Sequence, residues 1–382
     1  MEKRVIIYRD ELLPYSETFI PAQVENFSVY TGVYVGTTRC RHKGYPLPSE
    51  QTLVLSEVEK FTPRRKQLFF LTGLGYPHWF ERLHSLSASL IHAHFGFDGV
   101  RALILKRRLK LPLLVTFYGY DITVNQPSLG DSREQYDFWY RFYLWQRQTL
   151  FKQVDCCIAI SDFIRAKLIE NGCPEDKIKV IYLGIDPDQF KPDLTRPREP
   201  VVLFVGRLVS KKGCNYLIQA MANVQAIKPE LELVVIGDGK LRPDLEQQAA
   251  ASLKRYRFLG AQPPEVIQSW MNRALLLSAP SITADNGNSE GLCVVTLEAQ
   301  AMRLPVIASF HGGMQEAVLH NQTGLLADEG DWQAIAQHIL TLAQNPDLRE
   351  KFAIAGRQRV EQDFNVKRNT TTLEAIYDQI CG

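Results

Sequence analysis

The sequence predicts an α/β protein built from two doubly wound domains, each with a parallel sheet covered by helices. Three observations lead there. The 382 residues are more than one core comfortably organises and suit two domains of ordinary size. Short β-rich runs alternate with helical patterns along the whole chain. That alternation starts afresh after a proline-rich stretch near the middle.

In the first half the expected strands are Val5–Tyr8, Leu68–Thr72, Leu90–Ala93, Leu113–Phe117 and Cys157–Ile160. Each is followed by residues suited to a strand-to-loop turn, and residues 1–190 are expected to form the first domain. Lys191 to Pro200 holds prolines at 192, 197 and 200 and few apolar side chains, so 191–200 reads as a linker. The second domain, 201–362, offers Val201–Val205, Leu231–Ile236, Arg257–Leu259, Leu275–Ala279 and Pro305–Ala308. The closing segment, 363–382, has a helical pattern and is expected to pack back onto the first domain. Two such domains facing each other would form a deep cleft, lined by residues just beyond the strand ends.

Composition narrows the function classes. Hydrophobic residues make up 45% and charged residues 23%, the balance of a folded globular chain. A formal net charge of +2 argues against a nucleic-acid partner. The first residues lack the apolar core of a secretory signal, and no run approaches the roughly 18–20 apolar residues of a membrane span. The 7 cysteines show no paired metal spacing and fit reduced, mostly buried thiols. A cytoplasmic location is the corresponding expectation.

The informative motifs lie in the second half. After Val201–Val205 come Gly206, Arg207 and Leu208, then Lys211, Lys212 and Gly213 ahead of a helical pattern. Glycine lets the backbone approach a phosphate, and arginine and lysine there can grip its charge. Ordinary solvated turn charges would look the same. Leu231–Ile236 ends in Gly237-Asp238-Gly239, with Arg242 where a full dinucleotide fingerprint has its third glycine. Glu290 and Glu298 frame Gly291, Leu292 and Cys293, with Glu298 about two turns into an expected helix over 292–302. A carboxylate there suits a sugar or ribose diol, because each oxygen can accept a hydroxyl proton.

Together with Phe258-Leu259-Gly260 and Gly312-Gly313-Met314-Gln315-Glu316, these pieces stand in the order and spacing of glycosyltransferase family 4, which the chain resembles over roughly 85–382 and more loosely before. The resemblance implies the GT-B architecture of two facing Rossmann-like domains and a nucleotide-sugar donor held by the second. It implies that Arg207 and Lys212 neutralise the leaving diphosphate, that Glu290 holds the donor sugar, and that Glu298 holds the ribose. Gly206, Gly237, Gly239, Gly291, Leu292 and Cys293 would complete the donor site. It also implies retention of configuration. No metal or other cofactor is expected, because His92 and His94 have no third ligand placed nearby. Asp186 and Asp188, the one Asp-x-Asp near a strand end, match the family's loop before the linker and read as structural.

The first half would bind the acceptor, a glycan or lipid-linked glycan. Ser16 and Thr18 follow the first strand, where Ser16-Glu17-Thr18-Phe19 resembles the subgroup that makes exopolysaccharides and other surface glycans. Ser16 suits a plain helix N-cap equally well. His94 ends another strand and is either a satisfied structural histidine or a ligand contact. Tyr118, ahead of Asp121, stands where the family usually has a histidine that contacts the donor sugar. A tyrosine there keeps a hydrogen-bonding tip and loses the imidazole. Basic runs at 64–66 and 106–110 suit a peripheral membrane contact or a solvated face alike. The function expected is hexosyl transfer from a nucleotide-sugar to a glycan or glycolipid hydroxyl. Its rivals are a nucleotide-sugar epimerase, which the glutamate pair argues against, and a non-catalytic nucleotide-sugar binder, which Tyr118 suggests.

Overall fold

The structure is a computed structural model that describes residues 3–14, 17–40, 44–124 and 134–382. The chain divides into two compact units. The first holds the described residues up to Ile122, those from 134 to Tyr182, and Val366–Gly382; the second holds Thr123, Val124 and Leu183–Asn365.

The first unit is organised by a seven-stranded, wholly parallel sheet. Its strands are β1 (Lys3–Tyr8), β2 (Tyr30–Gly36), β3 (Thr52–Val54), β4 (Leu90–His94), β5 (Leu113–Phe117), β6 (Cys156–Ala159) and β7 (Ile178–Val180). They lie side by side in the order β3-β2-β1-β4-β5-β6-β7. Val5, Ile6, Ile7 and Tyr8 are fully buried, as continuous apolar strands covered on both faces must be. The last helix, Val366–Cys381, packs here: Leu373, Ile376 and Tyr377 join Val5, Ile7 and Leu90 in one core. Its Glu374 accepts from the amides of Ser28, Val29 and Tyr30, fixing the start of β2.

The second unit repeats the plan with six parallel strands. They are β8 (Val201–Val205), β9 (Glu232–Ile236), β10 (Tyr256–Phe258), β11 (Leu276–Ala279), β12 (Val306–Ser309) and β13 (Gly324–Ala327), ordered β10-β9-β8-β11-β12-β13. In each unit the order reverses beside the first strand, between β1 and β4 and between β8 and β11. Such a switch point splays the following loops apart and leaves a crevice beyond the carboxyl ends of the strands.

Two expectations are corrected. Leu68–Thr72 is the end of a helix, Pro63–Thr72, rather than a strand. The Thr62 side chain caps it by accepting from the Arg65 amide, Pro63 occupies its first turn, and Gly73 stops it at φ 73°. The segment 191–200 is not a free tether, and the units part earlier, between Tyr182 and Leu183. Arg198 donates to the carbonyls of Met302 and Arg303 at 3.0 Å each, and Glu199 pairs with Arg273 at 2.7 Å. These bonds fasten the proline-rich stretch to the second unit. No helix among the described residues is long and apolar enough to cross a membrane.

Candidate active site

The second unit gathers its candidate site residues at the switch point. β8 runs into Gly206, Arg207 and Leu208, then a short turn at Ser210–Lys212 and the helix Cys214–Ile227. Gly213 takes φ 64°, and a Cβ there would stand 1.8 Å from the Pro280 carbonyl oxygen, so only glycine lets this loop close on the one after β11. The Ile282 amide donates to the Lys211 carbonyl at 2.8 Å and ties the same two loops. Gly237, at φ 143°, is similarly pressed against the Gly206 carbonyl. Its small size is demanded by the protein's own packing, as is that of Gly239 against Leu208. Beside Gly206, by contrast, an added Cβ would make ordinary contacts, the nearest with the Lys212 side chain at 3.7 Å.

Glu290 sits at the end of the loop after β11 and is 7% exposed. Its Oε1 lies 3.0 Å from Lys212 Nζ and 3.4 Å from Lys211 Nζ. Burial alone would raise the Glu290 pKa, but the two ammonium groups outweigh it and bring it to about 2. For Lys212 burial opposes the charge, and the adjacent Cys293 and Glu290 outweigh that and leave its pKa raised. Lys211 ends lower than usual, because burial and then the neighbouring cations prevail over Glu290. Arg207 is exposed beside this group.

Leu292 and Cys293 are buried and lead into the helix Val294–Ala301, whose first turn has no side-chain cap. Uncapped amides at a helix start present partial positive charge and suit an anion. Glu298 lies half-buried further along that helix, and desolvation raises its carboxyl to about 7.

Two residues absent from the sequence reading complete the frame. His311 is 1% exposed and follows β12. Its Nε2 accepts from the Glu290 amide at 3.0 Å, while Nδ1 faces Glu329 Oε1 at 2.8 Å. Glu329 follows β13 and also accepts from the Thr283 amide at 2.5 Å and the Thr283 hydroxyl at 3.0 Å. The Gly313 amide donates to the Glu290 carbonyl at 3.0 Å. The signal for His311 was its place immediately beyond a strand, next to the Gly312-Gly313 pair.

In the first unit, β4 ends at His94, which is fully buried. Its Nδ1 meets the Tyr118 hydroxyl at 2.7 Å, its Nε2 has no partner among the described residues, and burial, then His92, holds its pKa well below the ordinary range. The Tyr118 ring packs against Phe19 and Phe95, with centroids 4.7 and 4.5 Å away. Phe95 adopts φ 71°, a strained backbone for a bulky residue, at the turn that aims this aromatic group. Asp121 is 2% exposed, and its two oxygens accept from the amides of Gly96, Tyr118 and Gly119. That leaves it organising the loop. Thr18 is exposed at the start of the helix Phe19–Val24 and makes no cap bond, and Ser16 lies outside the described residues. Below them, Arg9 pairs with Glu17 at 2.7 Å and with Asp98, while Asp10 pairs with Lys66 at 2.6 Å and Arg101 at 3.0 Å.

The family model for glycosyl transferases group 1 matches residues 186–359, and that for glycosyltransferase family 4 matches residues 33–189. An amylovoran biosynthesis glycosyltransferase, AmsK of Erwinia amylovora, is 34% identical over 286 residues, covering 73% of this chain and 67% of its own. A putative colanic acid biosynthesis glycosyltransferase, WcaL of Escherichia coli, is 30% identical over 287 residues, covering 73% and 67%. Among solved structures, HepE of Anabaena in complex with UDP superposes with a TM-score of 0.75 at 18% identity, covering 99% of this chain and 100% of that one. That likeness is one of fold.

Proposed function

We propose that this chain, which belongs to glycosyltransferase family 4, moves a hexosyl group from a nucleotide-sugar to a hydroxyl of a glycan or lipid-linked glycan, with retention, in the building of a surface polysaccharide. The observation that carries the reading is the buried Glu290 carboxylate held by Lys212 and Lys211 beside the uncapped start of Val294–Ala301. Breaking the bond between sugar carbon 1 and the diphosphate places negative charge on the diphosphate. Lys212, held by Glu290, and the helix-start amides are fixed positive groups that stabilise this charge without rearranging, and the exposed Arg207 adds to them. Such groups do what a divalent metal does elsewhere, so the reaction is proposed to need none.

Glu290 accepts hydroxyl hydrogens of the donor sugar and positions carbon 1. Glu298 accepts from the ribose. The acceptor oxygen bonds to carbon 1 on the face from which the diphosphate departs, and its proton passes to the departing phosphate oxygen. Configuration is thereby kept. The named roles of the AmsK and WcaL relatives support a polysaccharide product.

Proton NMR of the protein with UDP-, GDP- and ADP-sugars in EDTA tests this. One donor should be hydrolysed slowly to a free sugar of unchanged anomeric form, and Glu290→Ala should lower that rate about 10²–10³-fold. An inverted first product, or activity restored only by a metal, would reject the mechanism. Peripheral membrane contact belongs to the same proposal. Leu68, Leu71 and Leu74 are 58%, 56% and 69% exposed beside Arg64 and Arg65, an arrangement suited to an anionic lipid surface. Co-flotation with phosphatidylglycerol vesicles, lost in Leu68→Ser/Leu71→Ser, is the expected result, and equal flotation of both proteins would remove it.

A further inference from the structure

We propose that His311 is a positioning residue for Glu290, and that Glu329 holds His311 in the one tautomer that can serve. The inference rests on Glu290 having the role given above. An amide can only donate, so the 3.0 Å contact from the Glu290 amide requires a lone pair on His311 Nε2. The ring hydrogen then sits on Nδ1, where it is donated to Glu329 Oε1 at 2.8 Å. A carboxylate at that position can only accept, so it selects this tautomer and rejects the other.

Glu329 is itself anchored, because it accepts from both the amide and the hydroxyl of Thr283. Thr283 and Glu290 belong to the same loop after β11. The chain Thr283–Glu329–His311–Glu290 therefore ties two points of that loop to the ends of β12 and β13. With the Gly313 amide on its carbonyl, the Glu290 backbone is held on both polar sides. What is held is the carboxylate that faces Lys212 and Lys211. Around His311 the charged groups are Glu329 on the β13 side and the Glu290 carboxylate from its own loop, with Lys211 and Lys212 beyond. A catalytic carboxylate displaced by a fraction of an ångström loses much of its effect, and a fixed backbone prevents that.

His311→Gln, His311→Asn and His311→Ala separate this role from simple packing. A glutamine can place its carbonyl oxygen where Nε2 stands and still accept from the Glu290 amide, and an asparagine reaches only the Nδ1 position. Donor hydrolysis should fall about tenfold in His311→Asn and His311→Ala and stay within about threefold of the wild type in His311→Gln. Affinity for UDP or GDP, by calorimetry, should change less than about twofold in all three, because the contacts proposed for the nucleotide are to Lys212, Arg207 and Glu298 and only the sugar is held by Glu290. Amide hydrogen exchange at the peptide containing Glu290 gives a readout independent of turnover. It should quicken about tenfold in His311→Ala and remain slow in His311→Gln. Equal losses in the Gln and Asn variants, unchanged exchange, or nucleotide affinity falling in step with hydrolysis would each overturn the inference. If Glu290→Ala hydrolyses donor at the wild-type rate, the site assignment fails instead. The exchange result still reports whether His311 holds the loop.

Discussion

The two switch points carry similar charges in opposite states. Between β1 and β4, the cations Arg9, Lys66 and Arg101 meet the carboxylates Asp10, Glu17 and Asp98, and nearly every charge is taken up by a neighbour. Asp10 illustrates the closure: burial would raise its pKa, but Arg101 and Lys66 bring it to about 2. Between β8 and β11, Lys211 and Lys212 share the single carboxylate of Glu290, and the exposed Arg207 stands beside them. A balanced, buried cluster fixes loops and has little field left for a ligand. A cluster with surplus positive charge at an uncapped helix start invites an anion. The difference supports the proposal that the second unit takes the anionic part of the donor.

The largest effect expected from this contrast is on stability in the first unit. Arg9→Met leaves Glu17 without its cation and Asp98 with Arg101 alone, in a buried setting, which costs about 3 kcal/mol. Urea unfolding measures the loss, while affinity of the folded variant for UDP or GDP should stay the same. A stable Arg9→Met protein that bound nucleotide poorly would reverse the assignment of roles.

Arg207→Ala should behave in the opposite way. Its melting temperature should match the wild type, and its affinity for the nucleoside diphosphate should drop about tenfold. The remaining affinity should depend less steeply on salt. Calorimetry at two ionic strengths decides it, and an unchanged affinity would show that the surplus charge is incidental.

The smallest effect sharpens the picture within the second unit. Glu298 has its carboxyl raised to about 7 by burial, so below that pH it carries a proton and accepts hydroxyl hydrogens poorly. Nucleotide affinity should rise about threefold as the pH is brought up through this value, and Glu298→Gln should flatten the profile. Stability moves the other way. The unfolded chain releases this proton first, so the folded protein loses stability between the ordinary glutamate pKa and about 7. A pH series of melting curves on both proteins checks that slope.

Much of this was legible along the chain. Short apolar runs alternating with helical patterns predicted two parallel sheets, because a strand buried on both faces needs an unbroken apolar run wherever it lies. The loops holding Gly206 to Gly213 and Glu290 to Glu298 stood out because each is a short contiguous segment with its own turn chemistry. Leu68–Thr72 was misread as a strand because its apolar run is as short as one, and the Thr62 cap and the Gly73 stop decided the matter. Tertiary structure alone brought His311, Glu329 and Thr283 to Glu290, since they come from three strand ends and no spacing rule links them. It likewise closed Arg9, Asp10 and Asp98 into one network. Propensity and burial pattern act on neighbours in sequence, and so a sequence can declare them. A hydrogen-bonded frame depends on which strand ends become neighbours in a folded sheet, and only the packed structure determines that.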